Sequence, residues 1–286
     1  MLDEVDLWMF EMKSYEELEA EVNTLNDSIS DSPYLNNLDL LKLRDFCEQA
    51  DPFRYVCIDG MWKDEFLEQV MKEVAENQSW AGEKQFYGSR EKRWQADWNK
   101  FPEHVHSLLS YLNQPLVLKI IEFITQEKFL VSDPYLEGGG IHSTGNDGFL
   151  KLHADFNWNE KLQLYRRINI LVYLNKDWKK EYGGQIELAG KDSSGEFISQ
   201  VALEPIFNRT LIFVTDDKSF HGQPNPVNHP DKKRRNSIAA YYYTAAKPDD
   251  SSDTKRIGTN YVGEDGKSLQ PSLSKRILAR LGRVLK

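Results

Sequence analysis

In Lys151-Leu152-His153-Ala154-Asp155 an imidazole and a carboxylate stand two residues apart. On a strand, whose side chains alternate, both would project from one face without any special turn. His221, after Asp216-Asp217-Lys218-Ser219-Phe220, can bring a third ligand to that face from the loop expected behind a strand over 210–215. Two histidines and one carboxylate on one triangular face of an octahedron leave three positions open, the donor set expected for a non-haem ferrous ion. H-x-D alone is a weak pattern, so the downstream residues decide its weight.

Arg235, Ser237, Ala239 and Tyr241 share one face of a second strand, so a guanidinium can reach inward beside a small hydroxyl. Such a fork pairs bidentately with a carboxylate, as holding the distal end of 2-oxoglutarate demands. Arg234 is the rival anchor, and parity with Ser237 and Tyr241 favours Arg235. His142 can approach the pocket from a neighbouring strand or make a structural hydrogen bond. His229 reads as a solvated loop residue, and His104 and His106 as bystanders.

These side chains need a rigid β framework. Strands are expected over 129–135, 140–143, 149–155, 168–175, 184–188, 197–201, 210–215 and 237–243, with Gly138-Gly139-Gly140, Gly145-Asn146-Asp147-Gly148 and Asp192-Ser193-Ser194-Gly195 as turns. Eight short strands imply a mainly β protein with a jelly-roll, cupin-like core. Helices are expected over 63–77, 101–111 and 115–124, and within 1–50, broken at Asp31-Ser32-Pro33; a short strand is expected over 55–58. The organisation follows: an acidic helical extension (1–50), a catalytic domain (51–246, jelly roll from about 129), and a tail (247–286). In the tail Lys275, Arg276, Arg280, Arg283 and Lys286 alternate with apolar residues as a basic amphipathic helix.

The net charge is −9, and residues 1–50 carry thirteen acidic against three basic side chains. A nucleic-acid substrate is not expected, because phosphate binding needs a basic surface. The apolar runs are too short to span a bilayer, and the acidic start does not read as a signal peptide. Cys47 and Cys57, outside any metal-ligand spacing, fit reduced thiols in the cytoplasm.

The segments Arg167-Ile168-Asn169-Ile170-Leu171-Val172-Tyr173-Leu174-Asn175-Lys176-Asp177-Trp178, Gly183-Gly184-Gln185-Ile186-Glu187-Leu188, Arg209-Thr210-Leu211-Ile212-Phe213 leading to His221, and Arg235-Asn236-Ser237-Ile238-Ala239 resemble the prolyl-hydroxylase branch of the 2-oxoglutarate dioxygenases, in particular the hypoxia-factor prolyl hydroxylases and their microbial relatives. The likeness covers roughly residues 130–245. It implies a double-stranded β-helix, Fe(II), 2-oxoglutarate and O2, with ascorbate in support and succinate and CO2 as coproducts. It further implies that His153, Asp155 and His221 hold the metal, and that Tyr173 joins Arg235 on the distal carboxylate. From the residues alone, Tyr173 equally suits a core aromatic. The fourteen positions from His221 to Arg235 are longer than usual for the family and contain Pro224, Pro226 and Pro230.

Substrate features are sparser. Lys151 shares the parity of the H-x-D motif, Arg167 and Asn169 share that of Tyr173, Tyr241 shares that of Arg235, and Asn157 follows the motif; these are the candidate pocket residues. The N-terminal helices and the loop from Lys84 to Asn99 are candidates for a lid. The expected activity is hydroxylation of an unactivated C–H bond, on a prolyl residue in protein, a free amino acid or a natural-product intermediate. The alternatives are a non-catalytic cupin-like binding module and a metal-dependent hydrolase.

Overall fold

The computed structural model describes residues 15–191, 197–246 and 258–262. Alternation is clearest in Leu164–Tyr173, where Ile168, Ile170 and Val172 bury one face and Asn169, Leu171 and Tyr173 occupy the other. In chain order the longer elements are α1 (Tyr15–Ser30), α2 (Leu40–Gln49), β1 (Tyr55–Asp59), α3 (Asp64–Glu76), β2 (Gly82–Phe86), β3 (Ser89–Gln95), α4 (Glu103–Leu112), α5 (Pro115–Thr125), β4 (Val131–Ser132), β5 (Gly140–Ala154), β6 (Trp158–Asn159), β7 (Leu164–Tyr173), β8 (Ile186–Lys191), β9 (Phe197–Leu203), β10 (Arg209–Val214), β11 (Phe220–Gln223), β12 (Arg235–Thr244) and β13 (Asn260–Tyr261).

The strands form one curled antiparallel sheet in the order β1-β10-β7-β12-β5-β11-β8-β9. β5 joins its two halves: Gly140 to Thr144 pair with β12, and Leu150 to His153 pair with β11. The jelly roll is therefore a double-stranded β-helix, its two layers held by one bent strand. A strand pair 140–143 and 149–155 with an intervening turn is expected from Gly145-Asn146-Asp147-Gly148, but the strand runs through and bends there, with Asp147 at φ 60°. The bend is clipped by a neighbouring loop, since Asp147 N donates to the Val227 carbonyl and Val227 N to that of Gly148.

On the outer face of the first layer, Ile168, Ile170, Val172, Ile212, Ile238 and Tyr242 pack with Leu108, Leu109, Ile120 and Ile124 of α4 and α5. Val22, Leu25 and Ile29 of α1 enter the same core, so the described part of residues 1–50 is packed against the domain. The expected lid loop is instead the hairpin β2–β3, which extends the first layer beyond β5, with Trp94 opposite Gly82. The expected strand over 129–135 shrinks to two residues because Asp133 caps a turn, accepting from Tyr135 N and Glu137 N. The basic helix expected within 247–286, the turn at 192–196 and residues 1–14 lie outside the described residues.

Candidate active site

The face of β7 and β12 that turns away from the helices opens on a cavity of about 70 Å3. His153, Asp155 and His221 meet in its wall, with one ligand atom from each lying within 4.8 Å of the others. His221 is on a strand, where a loop was expected: β11 pairs with β5 so that His221 stands directly opposite His153. Strand pairing thus fixes the two imidazoles side by side, ring centres 4.6 Å apart.

Both rings are oriented from behind. His153 Nδ1 is 2.9 Å from the Lys151 carbonyl oxygen and His221 Nδ1 is 3.1 Å from that of Ser219. A carbonyl only accepts, so Nδ1 carries the proton in each neutral ring and Nε2 turns a lone pair toward Asp155, at 3.6 and 3.3 Å. Burial holds the His153 imidazole below its ordinary pKa, which favours the neutral, ligating form. Burial alone would raise the Asp155 carboxyl, but the Arg166 guanidinium beside it holds it well below the usual carboxylate range. The cluster therefore presents two Nε2 atoms and one carboxylate, a fitting donor set for ferrous iron.

Asp155 is itself restrained. Arg166 Nη2 and Asn169 Nδ2 both donate to Oδ2, at 2.7 and 2.9 Å, and Arg166 also donates through Nε and Nη2 to Asn169 Oδ1. The guanidinium carbon sits 3.6 Å from the Tyr241 ring centre and 4.7 Å from that of Phe156. Behind His153, on the side away from His221, Tyr261 of β13 stacks at 5.0 Å and 26°.

Arg235 enters the cavity with Ser237 and Tyr241, while Arg234 turns to Ser143 Oγ and the Glu91 carbonyl. Arg235 Nε donates to the Gly184 carbonyl at 2.7 Å and Nη2 to the Tyr173 hydroxyl at 3.3 Å. Among the described residues no carboxylate lies within ion-pair distance of it. A buried guanidinium without a counter-charge is costly, so this end of the cavity suits an anion. The Ser237 hydroxyl, 2% exposed, makes no hydrogen bond among the described residues and lines the same space.

Of the other candidate pocket residues, Asn169 and Tyr241 line the cavity and Lys151, Asn157 and Arg167 do not. Two bulges explain the misplaced parity. Between β11 and β5 the register slips after His221, so Leu150 takes the inward place that alternation assigns to Lys151. Between β12 and β7 the register slips at Tyr242 and Tyr243, which turns Arg166 inward and sends Arg167 outward to Glu127, 2.6 Å away. A bulge inserts one residue and inverts every assignment beyond it. His142 lines the cavity and also has a ring nitrogen 2.8 Å from the Gly138 carbonyl. His229 is buried against Tyr182 and Trp178, at 4.4 and 5.3 Å between ring centres, contrary to the solvated position expected of it. Lys92, Thr144 and Gln223 also line the cavity; the segments of Lys92 and Gln223 read as loops, and Thr144 falls between the strand expected over 140–143 and the turn after it.

Residues 139–243 match the sequence model of the 2OG-Fe(II) oxygenase superfamily, and His153, Asp155 and His221 all lie within that segment. Among solved structures the fold is similar to a prolyl-4-hydroxylase from Pseudomonas putida, at 17% identity over 72% of this chain and 100% of that one, TM-score 0.50. It is similar, too, to a prolyl hydroxylase from Trichoplax adhaerens solved in complex with a hypoxia inducible factor oxygen degradation domain peptide fragment, at 17% identity over 81% and 94%, TM-score 0.51. The non-heme alpha ketoglutarate dependent epimerase SnoN from nogalamycin biosynthesis matches at 15% identity over 81% and 98%, TM-score 0.51.

Proposed function

We propose that the protein hydroxylates an unactivated C–H bond in the manner of the prolyl hydroxylases, coupling it to conversion of 2-oxoglutarate and O2 to succinate and CO2. The observation that carries this reading is the pairing, in one cavity, of the His153–Asp155–His221 cluster with an uncompensated buried Arg235. A metal-dependent hydrolase needs the first and has no use for the second.

The residues take these roles. His153 Nε2, Asp155 and His221 Nε2 hold Fe(II), which when bound activates O2 for oxidative decarboxylation and substrate oxidation. Arg235, the Tyr173 hydroxyl and Ser237 grip the distal carboxylate of 2-oxoglutarate, so the cosubstrate enters in one orientation with its keto acid end toward the metal ligands. Asn169 and Arg166 keep Asp155 ionised and fixed. Leu171, Ile186 and Phe213 line the cavity between the two ends and exclude water from it.

The substrate is a small molecule or a peptide segment, the latter as in the peptide complex of the Trichoplax adhaerens enzyme, and nucleic acid is not among the candidates for a chain of net charge −9. No described helix is long and apolar enough to cross a membrane. Cys47 and Cys57 are both free thiols, and a reducing cytoplasm fits them and a ferrous centre. The deciding assay is succinate release by purified protein with Fe(II), 2-oxoglutarate and ascorbate. Macromolecular and small-molecule fractions of cell extract are compared, with Asp155→Ala as control. Stimulation by the macromolecular fraction assigns a protein substrate, and stimulation by the small-molecule fraction a metabolic one. Succinate no higher than the control in every fraction would favour the binding module.

A further inference from the structure

A histidine ring turns easily about its Cβ–Cγ bond, whose torsion has a broad profile in place of three sharp wells. The contact of His153 Nδ1 with the Lys151 carbonyl holds one corner of the ring and leaves its tilt open. Ligation asks for more, because the Nε2 lone pair has to aim at the metal within about 10–20°. One face of the ring meets the His221 imidazole, and the other is covered by Tyr261.

Tyr261 reaches that place on a strand of its own. β13 pairs with β5 on the side away from β11, with Tyr261 opposite His153 and Asn260 opposite Ala154. Val262 then anchors the strand: its N donates to the Leu152 carbonyl at 2.9 Å, and its buried side chain joins Ala154, Ala189 and Phe220. A row of rings results. Tyr261 lies nearly parallel to His153, His153 adjoins His221, and Phe213 of β10 meets His221 at 4.7 Å and 61°.

The tip of the β2–β3 hairpin holds Tyr261 in turn. Phe86 and Tyr87, both exposed, meet its ring edge-on with centres 5.4 and 6.1 Å away. Gly88 makes the close approach possible, since a Cβ there would lie 2.8 Å from Tyr261 Cδ1.

We propose that Tyr261 is a positioning residue for the metal centre: its ring, held against His153 by the hairpin tip, sets the tilt of that imidazole and so the aim of Nε2. The proposal rests on the oxygenase reading above. It makes metal affinity depend on two segments, the hairpin tip and β13, that lie outside residues 139–243.

The test uses full-length protein, with the His153 ring protons followed by NMR before metal is added and Mn(II) then titrated in. Tyr261→Leu should weaken Mn(II) binding about three- to tenfold, the size of an aromatic pair, and move the His153 ring protons downfield as the shielding face is lost. Tyr261→Phe keeps the ring and should match wild type in both readings. Gly88→Ala leaves Tyr261 and every ligand in the chain but crowds the stack, and should change both readings in the same direction as Tyr261→Leu. Lower urea stability of Tyr261→Leu with unchanged Mn(II) affinity would mark a purely structural tyrosine and overturns the proposal. Mn(II) binding as weak in Tyr261→Phe as in Tyr261→Leu also overturns it, because the hydroxyl and not the stack would then be responsible. Should Tyr261→Leu fail to fold, Gly88→Ala decides, and unchanged affinity there overturns the proposal. Wild type that binds no Mn(II) is the distinct failure of the oxygenase reading.

Discussion

Arg166 holds Asp155 by one oxygen only. Its Nη2 lies 2.7 Å from Oδ2, where Asn169 also donates, while Oδ1 is left on the side of His153 Nε2. The carboxylate is thereby set to bind a metal through a single oxygen. Removing a partner behind a metal ligand costs about 10- to 100-fold in metal affinity. Arg166→Met should therefore weaken Mn(II) or Fe(II) binding by about that factor, read by metal titration, with little change in the far-ultraviolet spectrum. Unchanged affinity would show that Asp155 needs no such restraint.

Arg235 makes a prediction of a different kind, because its charge has no protein partner. Arg235→Gln should weaken 2-oxoglutarate by about 1.5–3 kcal/mol, roughly 10- to 150-fold, and leave metal affinity unchanged. Arg235→Lys should restore little, since the Gly184 carbonyl and the Tyr173 hydroxyl are met by two nitrogens of one planar fork. Isothermal titration with cosubstrate separates the three proteins.

Gly184 has φ +73°, and a Cβ there would come 3.2 Å from Arg235 Cδ and 3.1 Å from Val227 Cγ2. Gly184→Ala combines backbone strain with displacement of the anchor it braces. Its cost is expected at about 1–3 kcal/mol in urea unfolding, accompanied by weaker 2-oxoglutarate binding. Full stability with intact cosubstrate affinity would remove this account of the turn.

The metal-free protein should lose stability in acid in two stages. Burial keeps the His153 pKa in the folded protein below its unfolded value, so the unfolded chain binds more protons and stability falls as pH drops below about 6.5. The depressed pKa of Asp155 contributes stability that is present above about pH 4 and is lost as pH falls further. Urea unfolding from pH 8 to pH 3.5 should show both, and His153→Gln should remove the first. A flat profile through pH 6.5 in wild type would contradict the buried neutral imidazole.

His153 and Asp155 were legible from sequence because His153 lies at the end of β5, beyond its bulge, and Asp155 directly follows the strand, so a period of two still suffices. Arg235, Ser237 and Tyr241 were legible for the same reason. Lys151 and Arg167 were misplaced by bulges in pairs whose partner strands are 70 residues away, information that no local pattern contains. Arg166 was invisible for the same reason as Arg167 was tempting: adjacent arginines differ only in which side of the bulge they take. Lys92 was hidden because 84–99 reads as a charged loop, whereas pairing with β5 makes part of it a strand. His229 read as solvated among prolines, and only the docking of its loop on Trp178 and Tyr182 buries it.

The central claim is that one cavity binds Fe(II) and 2-oxoglutarate together, the metal at His153, Asp155 and His221 and the far carboxylate at Arg235. The direct measurement is visible absorption of the protein under anaerobic conditions as Fe(II) and 2-oxoglutarate are added separately and then together. The account predicts a metal-to-ligand charge-transfer band that needs both, is absent in Asp155→Ala, and requires far more 2-oxoglutarate in Arg235→Gln. No band in wild type, or an undiminished band in Asp155→Ala, would contradict it.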